Sequence, residues 1–138
     1  MDDPESDDEH GGDSVDEGAV RAANRAFYDA FEARDLDAMS DVWEHADRVS
    51  CIHPGWRTLR GWGAVSGSWF ALFRGPSPLQ FILTDEVVSV AGDAAWVTVD
   101  ENLISADGGG TVAAVNLFVR VGDHWRLVAH HGSAVAQT

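Results

Sequence analysis

From Leu79 onward the chain leaves little choice of structure. Four apolar runs, "LQFILTDEVVSVA", "AAWVTVDENLIS", "TVAAVNLFVRV" and "HWRLVAHHGSAV", are divided by three short segments, Gly92-Asp93, "ADGGG" and Gly122-Asp123. The runs are rich in β-branched and aromatic residues and contain no proline. Runs of that length joined by glycine-bearing turns pair as consecutive antiparallel hairpins. A meander of four strands is only half a domain, because one of its faces needs a cover.

The first half of the chain supplies that cover. Ser14 and Glu17 have the spacing of a capping box, which predicts a helix start. Through "VDEGAVRAANRAFYDAFEARD" the residues Ala19, Val20, Ala23, Phe27, Ala30 and Phe31 then fall on one helical face. "DLDAMSDVWEHAD" reads as a shorter second helix that buries Leu36, Met39, Val42 and Trp43. "RVSCIH" is a strand stopped by Pro54 and Gly55, "PGWRTLRG" is a loop, and "WGAVSGSWFALFRG" is a third helix ended by Gly75 and Pro76. Helices first and a meander after predict an α+β fold, with three N-terminal helices packed on one face of a mainly antiparallel sheet.

At 138 residues the chain is one domain. Its boundary follows from charge. The net charge is −14, and residues 1–18 hold nine acids and no arginine. The remainder has 14 acids against nine arginines, which is only mildly acidic. Residues 1–15 therefore read as an acidic, disordered tail and 16–138 as the folded domain. A mildly acidic domain argues against nucleic acid as a partner. No apolar run approaches the roughly 20 residues of a membrane span. The acidic start is unlike a targeting peptide, so the default expectation is a cytoplasmic protein. Cys51 is the single cysteine and has no partner for an internal disulfide.

Strand parity suggests where a site would lie. The two-residue turn at Gly122-Asp123 pairs Val121 with His124. Counting from there puts Asn116 on one face with Trp125, Leu127 and His131. If parity carries through the other hairpins, Trp96, Asp100 and Asn102 join them. Val97, Val99, Val115, Leu117, Val119, Val128 and His130 take the opposite face. A mixed face with a few convergent polar groups is suited to a small-molecule pocket. The aliphatic face would be covered by a second copy, giving a homodimer.

The order helix, helix, "RVSCIHPGW", helix and meander ending "WRLVAHHGS" resembles the SnoaL-like, ketosteroid-isomerase-like superfamily, over about residues 16–135. The ending is also similar to the association domain of calcium/calmodulin-dependent kinase. The resemblance implies a cone-shaped fold with a strongly curved sheet, a deep pocket and dimeric packing. It also implies a range of activities: isomerase, cyclase, dehydratase, or a module without turnover. In the isomerases an aspartate base precedes proline at the end of the first strand, where this chain has His53. Their protonated aspartate falls at Asn116, and their helix-one tyrosine at Phe27, next to Tyr28. A neutral histidine can accept a proton near neutral pH, and an asparagine amide can donate to a developing oxyanion. His53 and Asn116 are thus the candidate catalytic pair. Trp56, which follows Pro-Gly in a loop, is a candidate for the pocket rim, and Trp69, Asp100, Asn102 and His131 are further ligand-binding candidates.

No HxH, HExxH or CxxC spacing suggests a metal, and no glycine-rich phosphate loop or GxSxG elbow is present. No cofactor is expected. The expected function is a pocket protein for a small apolar carbonyl compound, with a non-catalytic ligand-binding or dimerisation module as the alternative.

Residues 1–13 lack the apolar surface that offsets ordering entropy. Deleting them should leave the melting temperature nearly unchanged. A drop of more than about 5 °C would mean that they pack on the domain.

Overall fold

A computed structural model describes residues 4–76, 79–104 and 108–136, with side chains from Val15 onward. Three helices, α1 (Pro4–Ala33), α2 (Leu36–Val42) and α3 (Trp62–Phe73), cover a sheet of six strands. These are β1 (Ser50–Ile52), β2 (Leu59–Arg60), β3 (Gln80–Ala91), β4 (Ala94–Ile104), β5 (Thr111–Val121) and β6 (His124–Ala134). The sheet order is β2-β1-β6-β5-β4-β3. All pairings are antiparallel except β1 with β6, so β1 extends the meander on the side away from β3. This is the expected α+β cone, in which the helices line the inside of a mainly antiparallel sheet.

The helices differ from expectation at their ends. The α1 backbone begins at Pro4, upstream of the start marked by Ser14 and Glu17. Its buried stripe is Val20, Asn24, Phe27, Tyr28 and Phe31, a spacing of four, three, one and three. Arg34 ends it in the left-handed region at φ 56°. The Arg34 guanidinium donates to the carbonyls of Phe73 and Gly75, tying the end of α1 to the end of α3. Asp35 caps α2 by accepting from the Ala38 N–H at 3.0 Å. α2 then stops at Val42, earlier than expected, because Trp43 turns extended and bridges to Leu127. The predicted loop after Pro54 contains the two-residue β2.

Two register shifts shape the sheet. One lies between β5 and β6: Phe118 faces Leu127, but Leu117 faces Ala129, so Val128 is an extra residue. The other lies between Thr84 and Val87 on β3, where Asp85 adopts φ 57°. A bulge adds one residue and reverses the faces of everything beyond it.

The core is an aromatic cluster under α1. Trp69 meets Phe27 and Phe31 edge-on, with ring centroids at 5.6 and 4.9 Å, and Phe31 meets Phe81 at 5.2 Å. Edge-to-face packing suits the ring quadrupoles. α3 keeps Gly67 in mid-helix, a choice that costs about 1 kcal/mol relative to alanine.

Candidate functional site

The helix-covered face of the sheet is set by the bulge at Val128. Beyond it Asn116 pairs with His130, and on the other side with Val97. Val97, Val99 and Glu101 of β4 therefore share a face with Asn116, and His130 points inward. Asp100, Asn102 and His131 point the other way. The expected grouping of Asn116 with Asp100, Asn102 and His131 is thus corrected on two counts. The extra residue in β6 exchanges His131 for His130, and the β4–β5 register reverses the parity assumed across "ADGGG".

Asn116 is fully buried and joins the sheet to α1. Its Nδ2 donates to Asn24 Oδ1 at 2.9 Å and to the Tyr28 hydroxyl at 3.1 Å. With both amide hydrogens used there, its Oδ1 accepts from His130 Nδ1 at 2.6 Å. This hydrogen balance assigns His130 the Nδ1–H tautomer. Tyr28 donates in turn to Glu101 Oε2 at 2.7 Å. Asn24 donates to Glu86 Oε2 at 3.0 Å, and Arg21 pairs with Glu86 Oε1 at 2.7 Å. The β3 bulge brings Glu86 to this position. A polar chain thus runs from the surface pair Arg21–Glu86 through Asn24 and Asn116 to His130, with a branch to Tyr28 and Glu101.

His53, 4% exposed at the end of β1, stands beyond His130, with ring centroids 6.4 Å apart. Its Nε2 lies 2.9 Å from Ser68 Oγ. The Ser68 hydroxyl donates to the Val65 carbonyl at 2.6 Å, so it accepts from His53 Nε2–H. The two histidines therefore carry opposite tautomers. Cys51 Sγ lies 3.6 Å from His53 Nε2.

Burial governs the electrostatics. It lowers His53 to about 4, and it lowers His130 to about 3 with help from the neighbouring His53 and His131. Both imidazoles are neutral near pH 7. Burial raises the Glu101 carboxyl to about 7, a shift that the Tyr28 hydrogen bond partly offsets. The Tyr28 phenol is raised by burial first and by the adjacent Glu101 second. The Cys51 thiol is pushed up to about 12 by burial and by Glu101, so it is inert at neutral pH. Among the described residues no group of three or more His, Cys, Asp or Glu could hold a metal ion. None of the described helices is long and apolar enough to cross a membrane.

His53 and Asn116 face one interior, but His130 lies between them. The His130 ring packs against Phe27 at 4.9 Å and Trp69 at 5.9 Å. Trp69 is buried and meets His53 edge-on at 4.8 Å, while Trp56, 45% exposed, covers His53 from the loop at the same distance. Asn102 knits strands together, bonding the Ile82 carbonyl, Thr84 and Thr111. Asp100 and His131 do converge, but in a depression of about 520 Å³ on the outer face, with Asp85, Thr98 and Ser133. His131 lies 3.2 Å from Ser50 Oγ.

Sequence reasoning missed Asn24, Tyr28, Ser68, Glu101 and His130. Two signals were available. Asn24 and Tyr28 lie in phase with Val20 and Phe31, and Glu101 lies in phase with Val97 and Val99 in "WVTVDE".

The profile of the SnoaL-like domain family matches residues 20–137. A structure from Streptomyces avermitilis, of the NTF2-like family and with a suggested dehydratase activity, is 41% identical. It covers 90% of this chain and 99% of its own, with a TM-score of 0.82. A suggested calcium/calmodulin-dependent protein kinase type II association domain from Thiobacillus denitrificans is 37% identical. There the coverage is 84% and 94%, with a TM-score of 0.78. The F-box protein SKIP8 of Arabidopsis thaliana is 30% identical over 117 residues, 85% of this chain, which spans about half the length of that relative.

Glu101 gives the site a measurable signature. Its folded value lies above the 4.5 of an ordinary glutamate, so the folded state binds more protons between pH 4.5 and about 7. Its contribution to stability therefore falls as pH rises through that window. The two histidines act oppositely, losing stability as pH falls below 6.5. Comparing Glu101→Gln with wild type removes the histidine effect. The variant should gain about 3 kcal/mol on wild type between pH 4.5 and 8, measured by urea unfolding. A difference that stays flat with pH would mean that Glu101 titrates as it does in water.

Proposed function

The chain belongs to the SnoaL-like domain family, and on that premise we propose that it binds a small, largely apolar carbonyl compound and moves a proton on it without a cofactor. Isomerisation, cyclisation and dehydration all fit that description. The supporting observation is Glu101, a carboxyl 5% exposed in the core of a small domain and raised to about 7. Burying an ionisable carboxyl, a phenol and an imidazole in one network, with a second buried imidazole beside it, opposes folding, and such clusters concentrate at functional sites.

The roles follow from the hydrogen balance. His53 gives its Nε2–H to Ser68 and keeps a lone pair on Nδ1. As a neutral base it would take a proton from the carbon next to the carbonyl. Trp56 is the exposed side chain to be displaced as the substrate reaches it. Tyr28 and Asn116 carry the interior hydrogen-bond donors suited to the developing oxyanion, which demands that they turn from their present partners and that the His130 ring, which stands between them and His53, move aside for the substrate. Glu101, titrating near neutrality, can return a proton through Tyr28.

Proton abstraction beside a carbonyl can be detected whatever the natural substrate is. A panel of β,γ-unsaturated and β-hydroxy ketones is incubated with the protein in deuterated water, and deuterium uptake beside the carbonyl is read by mass spectrometry. Wild type should accelerate uptake for at least one compound, and His53→Ala should slow it by about a hundredfold. No uptake by wild type across the panel would overturn the catalytic reading.

A second reading has its own support. The outer sheet face exposes Ile82, Val87, Trp96 and Val115, an apolar area that water does not favour. The relative from Thiobacillus denitrificans is described as an association domain. We propose self-association of this chain through that face, centred on Val115 and Trp96 with Leu117 and Val119 beside them. Val128, expected in the same interface, is instead buried in the core cluster. Val115→Arg should convert a dimer into a folded monomer in sedimentation. Wild type sedimenting as a monomer at micromolar concentration would refute this.

A further inference from the structure

A chain of hydrogen bonds has a direction as well as a path. A member that can both donate and accept takes its sense from its neighbours, and only a group restricted to one role fixes the sense of the whole. Asn24, Asn116 and Tyr28 each do both, and each is buried. An asparagine amide turned end for end exchanges donor and acceptor without changing shape. The path from Asn24 through Asn116 to His130, with its branch through Tyr28 to Glu101, therefore fits the same space in two opposite senses.

Glu86 removes that freedom. Its carboxylate is ion-paired with Arg21 at 2.7 Å and has only lone pairs to offer. Asn24 must turn its Nδ2 to Glu86 Oε2, at 3.0 Å, and its Oδ1 to Asn116. Asn116 must then direct its N–H groups to Asn24 and Tyr28 and its carbonyl to His130, which places the His130 proton on Nδ1. Tyr28, accepting from Asn116, gives its own proton to Glu101. Glu101 cannot hold this sense from the far end. Burial raises it to about 7, so near neutrality it is an acceptor part of the time and a donor the rest. The backbone is shaped to deliver Glu86: Asp85 and Glu86 bulge between the pairs Thr84–Asp100 and Val87–Thr98, with Asp85 at φ 57°.

We propose that Glu86, through Asn24, is the positioning residue that sets the direction of the interior hydrogen bonds, so that Asn116 and Tyr28 offer donors and His130 keeps its proton on Nδ1. Its bearing on proton transfer rests on the proposed function above, whereas the direction of the bonds does not.

The direction can be reversed by design. Arg21→Glu combined with Glu86→Lys keeps an ion pair but sets a donor-only ammonium against Asn24. Asn24 then turns its oxygen outward and donates to the Asn116 carbonyl. Tyr28 donates to that carbonyl as well, Glu101 keeps its proton and donates to Tyr28, and the Asn116 N–H meets Nδ1 of a His130 protonated on Nε2. Nitrogen-15 and proton correlation of the imidazole rings distinguishes the tautomers. Wild type should show His130 as Nδ1–H and His53 as Nε2–H. In the swapped protein His130 should change to Nε2–H, whereas His53, bonded to Ser68, should not change. Glu101 should hold its proton about tenfold more tightly, read by carbon-13 titration. Adding Asn24→Asp gives the ammonium an acceptor-only neighbour that also accepts from Asn116, so His130 should return to Nδ1–H. A Glu86 that merely supported the fold would move none of these readings.

Deuterium uptake should fall about tenfold or more on reversal and recover with Asn24→Asp. The tautomer is read without any substrate, so it decides the proposal even where wild type takes up no deuterium. Should the swapped protein not fold, Glu86→Met removes the acceptor and should give His130 in two tautomers. The proposal is overturned if the folded swapped protein keeps His130 as Nδ1–H, or if a wild type active in exchange loses nothing on reversal. In place of a swapped protein that does not fold, Glu86→Met with the Nδ1–H tautomer alone overturns it equally.

Discussion

With no water reaching it, the Asn116 carboxamide has to find every hydrogen bond inside the protein, and the groups that meet it organise the interior. Its amide donates to Asn24 and Tyr28 on α1, and its carbonyl accepts from His130 on β6. One side chain on the central strand thus fixes the height of the long helix over the sheet, the tautomer of a buried histidine and the direction of a phenol. An unpaired buried amide costs about 1–3 kcal/mol per group, so partial versions of this arrangement are disfavoured and the set forms together. The Tyr28 hydroxyl, already accepting from Asn116, has its one proton left for Glu101. The position of the carboxyl therefore follows from the amide.

That network depends in turn on a backbone irregularity. Were β6 regular through Val128, Ala129 would stand opposite Asn116, His131 would turn to the inner face opposite Ala114, and His130 would face outward opposite Val115. The bulge on β3 does comparable work for Glu86, which reaches Asn24 from a strand whose regular alternation is interrupted at Asp85. A left-handed φ at a non-glycine residue is uncommon, and such residues persist where the surroundings hold them. Here the surroundings include the Arg21–Glu86 pair, which closes the outer end of the polar chain.

These bulges explain what could and could not be read from the chain. The hairpins, the helix order and the α+β class were legible because they rest on periodicity and on glycine at the turns. The pairing of Val121 with His124 was legible for the same reason. His53 and Asn116 were singled out by the resemblance, His53 because it precedes a proline at a strand end where the isomerases carry their base, and Asn116 because it interrupts an apolar strand where they carry a protonated aspartate. The identity of their neighbours was not legible. A bulge needs no distinctive residue, and "WRLVAHHGS" contains nothing that marks Val128 as the extra one. Every inference that crossed it came out on the wrong face. Tyr28 was obscured differently: Phe27 beside it satisfied the apolar pattern, although both side chains are buried.

Proton transfer and self-association are often set against each other as explanations for a small domain. In this sheet the proposed proton transfer and the proposed self-association would use different atoms of the same strands. Along β4, Val97, Val99 and Glu101 serve the interior while Trp96, Thr98 and Asp100 face outward, and along β5 Asn116 alternates with Val115 and Leu117. A second copy on the outer face would touch none of the inward groups, yet it would hold the strands that carry them. The interior groups act over single hydrogen bonds, so a displacement of a few tenths of an ångström in β5 relative to α1 would weaken the contacts of Asn116. A second copy covering the outer face would restrain that displacement. The proposed association would thus keep the buried network in register rather than stand as an alternative to it.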